Sequence, residues 1–111
     1  MSDDAIPTGA DAGAISTIDK EELLARSVEV VRMWVENGGG GTFIIKPDRL
    51  ESPEMFGMML ADCARHAAIA YAHELGITQS AAMDAIWEGL DEERDDPSGD
   101  PETIQTSGRT H

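Results

Sequence analysis

Residues 52–76, SPEMFGMMLADCARHAAIAYAHELG, decide how this chain folds. The stretch opens with Ser52 as an N-cap, Pro53 at the first helical position and Glu54 at the positive end of the helix dipole. It closes at Gly76, a residue suited to the left-handed turn that ends a helix. The spacing predicts one long helix with almost no side built for water. Phe56, Met59, Leu60, Cys63, Ala67, Ala70 and Tyr71 share one face, which is expected to be the main core face. Gly57, Ala61, Ala64 and Ala68 form a neighbouring small-residue face that lets another helix approach closely. Asp62, His66, Ile69 and His73 make a third line, and only the band around Met58 and Arg65 is left for solvent or a partner. A helix coated in this way has to be covered by other elements, so it organises a small domain.

The flanking segments supply those elements. Ile77 and Thr78 start a second helix, with Thr78 as N-cap and Ile77 placed to staple against Ala82. That helix runs to about Arg94, and its apolar stripe is Met83, Ile86, Trp87 and Leu90. Upstream, Val28–Glu36 is rich in β-branched residues and carries Trp34, which suits a pleated strand. Thr42–Lys46 is a second short strand, stopped by Pro47. Asn37 to Gly41 lies between them, and Asn-Gly followed by more glycine provides the positive φ angles of a hairpin reversal. A phosphate-cradling loop would lead into a helix instead of a strand.

The fold class expected from this order is α+β, a β-hairpin followed by two α-helices (ββαα). Residues 19–94 form its single domain, and Asp19–Arg26 adds one or two helical turns that bring Leu23 and Leu24 against it. Residues 1–18 are acidic, small and punctuated by Gly and Pro, too poor in apolar mass to offset the entropy of ordering. Residues 95–111 have the same character, with Pro97 and Pro101 opposing helix continuation. Both ends are expected to be disordered tails.

Charge and cysteine content exclude several functional classes. The 111 residues hold 22 acids and 8 bases, a formal net charge of -14. Nucleic acid and anionic lipid are bound by clustered Lys and Arg, so neither is an expected partner. One cysteine, Cys63, allows no internal disulfide and no multi-cysteine zinc site. No apolar run reaches the roughly 18 residues of a membrane span. The first residues carry neither the basic nor the apolar region of a secretory signal, and the expected compartment is the cytoplasm.

Chemistry, if present, concentrates on the long helix. Asp62 and His66 stand at i and i+4, the spacing at which a carboxylate orients an imidazole as a general base. The same contact, or one with Arg65, also serves simply to satisfy a half-buried helix, and this second reading is favoured. His66 and His73 lie two turns apart, about 10 Å along the axis, too far to share one ion. Asp62 and His66 do meet the i, i+4 ligand spacing, but a third ligand would have to come from elsewhere, such as across a dimer axis. No metal is therefore expected in a monomer, and no cofactor is expected. Cys63 belongs to the apolar face, where thiols are inert. Arg32, mid-strand on the face of Trp34, is expected to meet Asp62, since a covered guanidinium needs a partner.

The segments Glu29-Val30-Val31-Arg32-Met33-Trp34-Val35, Leu60-Ala61-Asp62, Ala64-Arg65-His66 and Ala70-Tyr71 carry a resemblance. Over roughly residues 27–94 the chain resembles a family of short uncharacterised alphaproteobacterial proteins classed as a domain of unknown function. The resemblance implies a small hairpin-plus-helices domain and no particular activity. It marks Arg32, Asp62, Arg65, His66 and Tyr71 as a set.

A lone hairpin is marginal in water and presents unpaired edges. The chain is therefore expected to be a homodimer whose hairpins join into a four-stranded antiparallel sheet, with Met58 and Ile69 near the contact. Its expected role is a non-catalytic interaction module with a possible protein partner. The alternative is a small-ligand- or metal-binding protein, enzymatic or not, that uses Asp62, Arg65 and His66.

Overall fold

The structure is a computed structural model, and it describes residues 6–97 together with the backbone of 102–105. A 3-10 turn at Ile18–Lys20 leads into α1 (Glu21–Ala25), followed by β1 (Val31–Val35), β2 (Gly41–Ile45) and a second 3-10 turn at Pro47–Arg49. Two long helices come next, α2 (Pro53–Leu75) and α3 (Gln79–Asp95), and then β3 (Glu102–Gln105). The expected hairpin and helix pair are present in the expected order, and the class is α+β.

Local chemistry sets the boundaries. Ser52 Oγ accepts from the Met55 amide at 3.2 Å, and Thr78 Oγ1 accepts from the Ala81 amide at 3.0 Å, so both helices start on hydroxyl caps. Gly76 ends α2 at φ 69°, and the Ile77 amide donates to the Ala72 carbonyl at 3.1 Å. A left-handed residue there turns the chain at once into α3. In the hairpin, Gly38 takes φ +72°, and the Gly39 amide closes the turn onto the Glu36 carbonyl at 2.7 Å. β1 is shorter than the Val28–Glu36 expected, because the paired register runs only from Val31↔Ile45 to Val35↔Gly41.

Residues 102–105 require a correction. Assigned to a tail by composition, they form β3, parallel to β2 from Thr42↔Glu102 to Ile45↔Gln105. Strand order is β1-β2-β3. Four residues are too few to show a period, and their hydrogen-bonding partner lies two helices upstream, where no local pattern announces it. At the other end, Ile6 and Ile15 are exposed and residues 6–17 form no helix or strand. The parts of the two expected tails at 1–5, 98–101 and 106–111 lie outside the described residues.

The core is also not where the large side chains are. Ala64, Ala68 and Ala82 are the buried hydrophobic residues among those described, and they form the seam between α2 and α3. Small Cβ groups allow two helix backbones to approach closely, and the bulky neighbours are then held off the seam. The expected main core face is thus the more open one. Phe56 is half-buried, while Met59, Leu60 and Tyr71 are 49%, 41% and 53% exposed. Leu23 and Leu24 of α1, expected to dock, also stay about half exposed.

Candidate functional site

The outer flank of α2 brings three of the five marked residues together. Arg65 Nη1 donates to Asp62 Oδ1 at 3.5 Å, and His66 Nε2 lies 3.8 Å from the same oxygen. These are the i, i+3 and i, i+4 contacts that helical spacing provides. All three side chains are more than three-fifths exposed. Beside them runs an open groove of about 440 Å³, lined by Met55, Met58, Met59 and Ala61 along with Asp62 and Arg65. Tyr71 is not part of the group. It follows Asp62 by two and a half helical turns and so lies on the opposite side of α2.

Arg32 does not meet Asp62. Its Nε donates to Glu29 Oε2 at 2.7 Å, across three residues of its own segment. The expected pairing assumed a guanidinium covered by the helix. Here the side chain is 53% exposed, so water shares its solvation and the nearest acid takes it. The bond from Arg32 holds the Glu29 carboxyl below its ordinary pKa against a slight opposing effect of burial, and the fields of Arg32 and Arg49 add to it. Arg32 is held above its ordinary value chiefly by the same bond. Arg49 Nη1 donates to the Glu29 carbonyl, so Glu29 fastens two cations. Together with Lys46 these line a groove of about 360 Å³ at the base of the hairpin. Sequence reasoning missed this cluster, although the strand pairing places Lys46 beside Arg32 and Val30 once the register is known.

Cys63 is exposed, against the expectation of a buried thiol, because the seam runs through the alanines instead of the face it occupies. Among the described residues, no group of three or more His, Cys, Asp or Glu side chains converges as a metal site. No described helix is long and apolar enough to cross a membrane.

Residues 20–98 match the model of a family described as a domain of unknown function, DUF5076. The chain belongs to this family. A solved structure from the photosynthetic bacterium Rhodopseudomonas palustrus CGA009, described as a candidate pyruvate dehydrogenase, is similar to this DUF5076 chain. The two share 33% identity at a TM-score of 0.58, covering 86% of this chain and 88% of the other. No curated protein matches. The motif that carried the resemblance includes Asp62, Arg65 and His66, the three residues that α2 does bring together.

Proposed function

We propose that this DUF5076 chain is a homodimeric interaction module of the cytoplasm, assembling through the open flank of α2 and acting without catalysis. The observation that carries this reading is the inversion of the core. Among the described residues the buried ones are three alanines, while α2 alone leaves Met58 69%, Met59 49% and Ile69 52% exposed. A buried alanine removes little apolar surface from water, whereas each large side chain, once covered, contributes roughly 1.5–3 kcal/mol. The seam by itself is a weak counterweight to the entropy of ordering the chain. Covering the flank with a second copy supplies the missing burial. Flexible Met side chains beside an Arg are also the composition of a protein-binding surface more than of a catalytic pocket.

The alternative is a small-ligand or metal site at Asp62, Arg65 and His66, and the name given to the neighbouring structure is what favours it. Against it stands the geometry. The three groups sit side by side on one exposed flank of a single helix, where the helical period directs them outward instead of onto a common substrate. Sedimentation velocity of the full chain across a concentration series tests the module reading. Self-association at tens of micromolar is the expected result, and a monomer throughout overturns it. NMR titration of His66 and His73 with zinc or manganese tests the alternative, which requires a selective shift at His66.

A further inference from the structure

Antiparallel strands bond each neighbour through alternate residues. The Lys46 amide donates to the Val30 carbonyl at 3.0 Å, and the Glu36 amide to the Gly40 carbonyl at 3.0 Å. With the register running from Val31↔Ile45 to Val35↔Gly41, residues 30, 32, 34 and 36 turn their backbone groups toward β2. Val31, Met33 and Val35 therefore turn theirs away from it. The far edge of β2 is taken by β3, and among the described residues no strand lies beyond β1. Met33 is 56% and Val35 76% exposed. β1 contains no proline, and its register runs without a bulge. Arg32 is the one charge on the strand, so the edge lacks most of the devices that keep edges apart.

We propose that a second copy of this chain lays its own β1 antiparallel along this edge, centred on Met33, to make one continuous six-stranded sheet. The proposal rests on the self-association reading above and names the strand and register that it uses. The placement of the outward groups selects the centre. A two-fold axis at Met33 sets Val31 against the partner's Val35, so all three outward-bonding residues of each copy exchange both backbone bonds. Centring on Arg32 would put two guanidiniums face to face, which destabilises a cross-strand pair. Centring on Trp34 would carry Val31 past the strand, onto the partner's Asn37 in the turn. In the chosen register Arg32 faces the partner's Trp34, a cation over an indole ring. The expected four-stranded assembly becomes six-stranded because β3 already occupies the other edge of each hairpin.

Amide hydrogen exchange on the full chain, compared between associating and dilute concentrations, tests this without any substitution. The amides of Val31, Met33 and Val35 are expected to slow by about ten-fold or more on association. A second arm uses disulfide capture in a Cys63→Ser background. Met33→Cys is expected to cross-link, since the paired Cα atoms of a hydrogen-bonded position stand about 5.5 Å apart, within reach of a disulfide. Arg32→Cys or Trp34→Cys cross-linking in preference to Met33→Cys overturns the register. Free exchange of the three amides in an associated sample overturns the β1 pairing altogether. If association persists in that case and Ile69→Glu still abolishes it, the α2 interface stands alone and the two readings are separated.

Discussion

Replacing Ile69 by Glu separates the isolated chain from the assembled one by sign. Ile69 lies on the outer flank of α2 and is 52% exposed. In an isolated chain the change is harmless or slightly favourable. Glu is the better helix former, and it stands four residues after Arg65, where opposite charges attract. The expected change in unfolding free energy is within about 0.5 kcal/mol. In a dimer covering this flank, each copy loses the burial of roughly half an isoleucine side chain, about 1 kcal/mol. Two-fold symmetry doubles that to about 2 kcal/mol before any penalty for drawing two carboxylates out of water. Self-association should therefore weaken by at least about 30-fold. Sedimentation velocity reads the association, and chemical denaturation of dilute protein reads the fold. Unaltered association of a folded Ile69→Glu variant would refute the reasoning, because the flank would then face water in every state.

The other expectations concern the frame that holds this flank. Ala68 is 3% exposed in the helix seam, so Ala68→Leu overpacks it and should cost about 1–3 kcal/mol in urea unfolding. Gly76 holds φ 69°, and Gly76→Ala should cost about 1 kcal/mol, with Thr78→Ala costing a similar amount by loss of the α3 cap. The last expectation concerns pH. The Glu29 carboxyl lies below its ordinary pKa, so over that range the unfolded chain binds more protons than the folded one. The stabilisation is complete above the unfolded pKa and is lost as pH falls through the folded value. Because both partners are about half exposed, the effect is small and sensitive to salt. The gap in urea midpoint between the parent and Glu29→Gln should narrow from pH 7 toward pH 3, and a gap that widens on acidification would show that the Arg32 bond is not its source.

What was legible in the sequence is what neighbours along the chain determine. Ser52, Thr78 and Gly76 act on amides and carbonyls within one turn, and Gly38 acts on its own φ, so the helix ends and the hairpin reversal follow from residue type alone. β3 was hidden because its bonds come from β2, across two intervening helices. The polar trio at Asp62, Arg65 and His66 was legible for the same reason as the caps, since its contacts span one helical turn. The partner of Arg32 was not. Choosing between Glu29 and Asp62 requires knowing how far the sheet is covered, and coverage is a tertiary quantity.

The misplaced core has a physical explanation that bears on function. Hydrophobic periodicity reports which faces of a helix avoid water, not which partner relieves each one. On α2 two adjacent faces are apolar, one of small residues and one of large. A neighbouring helix from the same chain, tethered by the turn at Gly76, docks best where the backbones come closest, and that selects Ala64 and Ala68. The face of Met59, Leu60 and Tyr71, and the flank of Met58 and Ile69 beyond it, are then left to surfaces that arrive from elsewhere. The same division holds in the sheet, where β3 takes the far edge of β2 and β1 keeps three outward-bonding apolar residues. Two elements left open in the same sense, one by side chains and one by backbone, are more economically satisfied by one partner than by two. In the proposed pairing a copy of the same chain is that partner, since a strand edge with Val31 and Val35 flanking Met33 is self-complementary when centred on Met33.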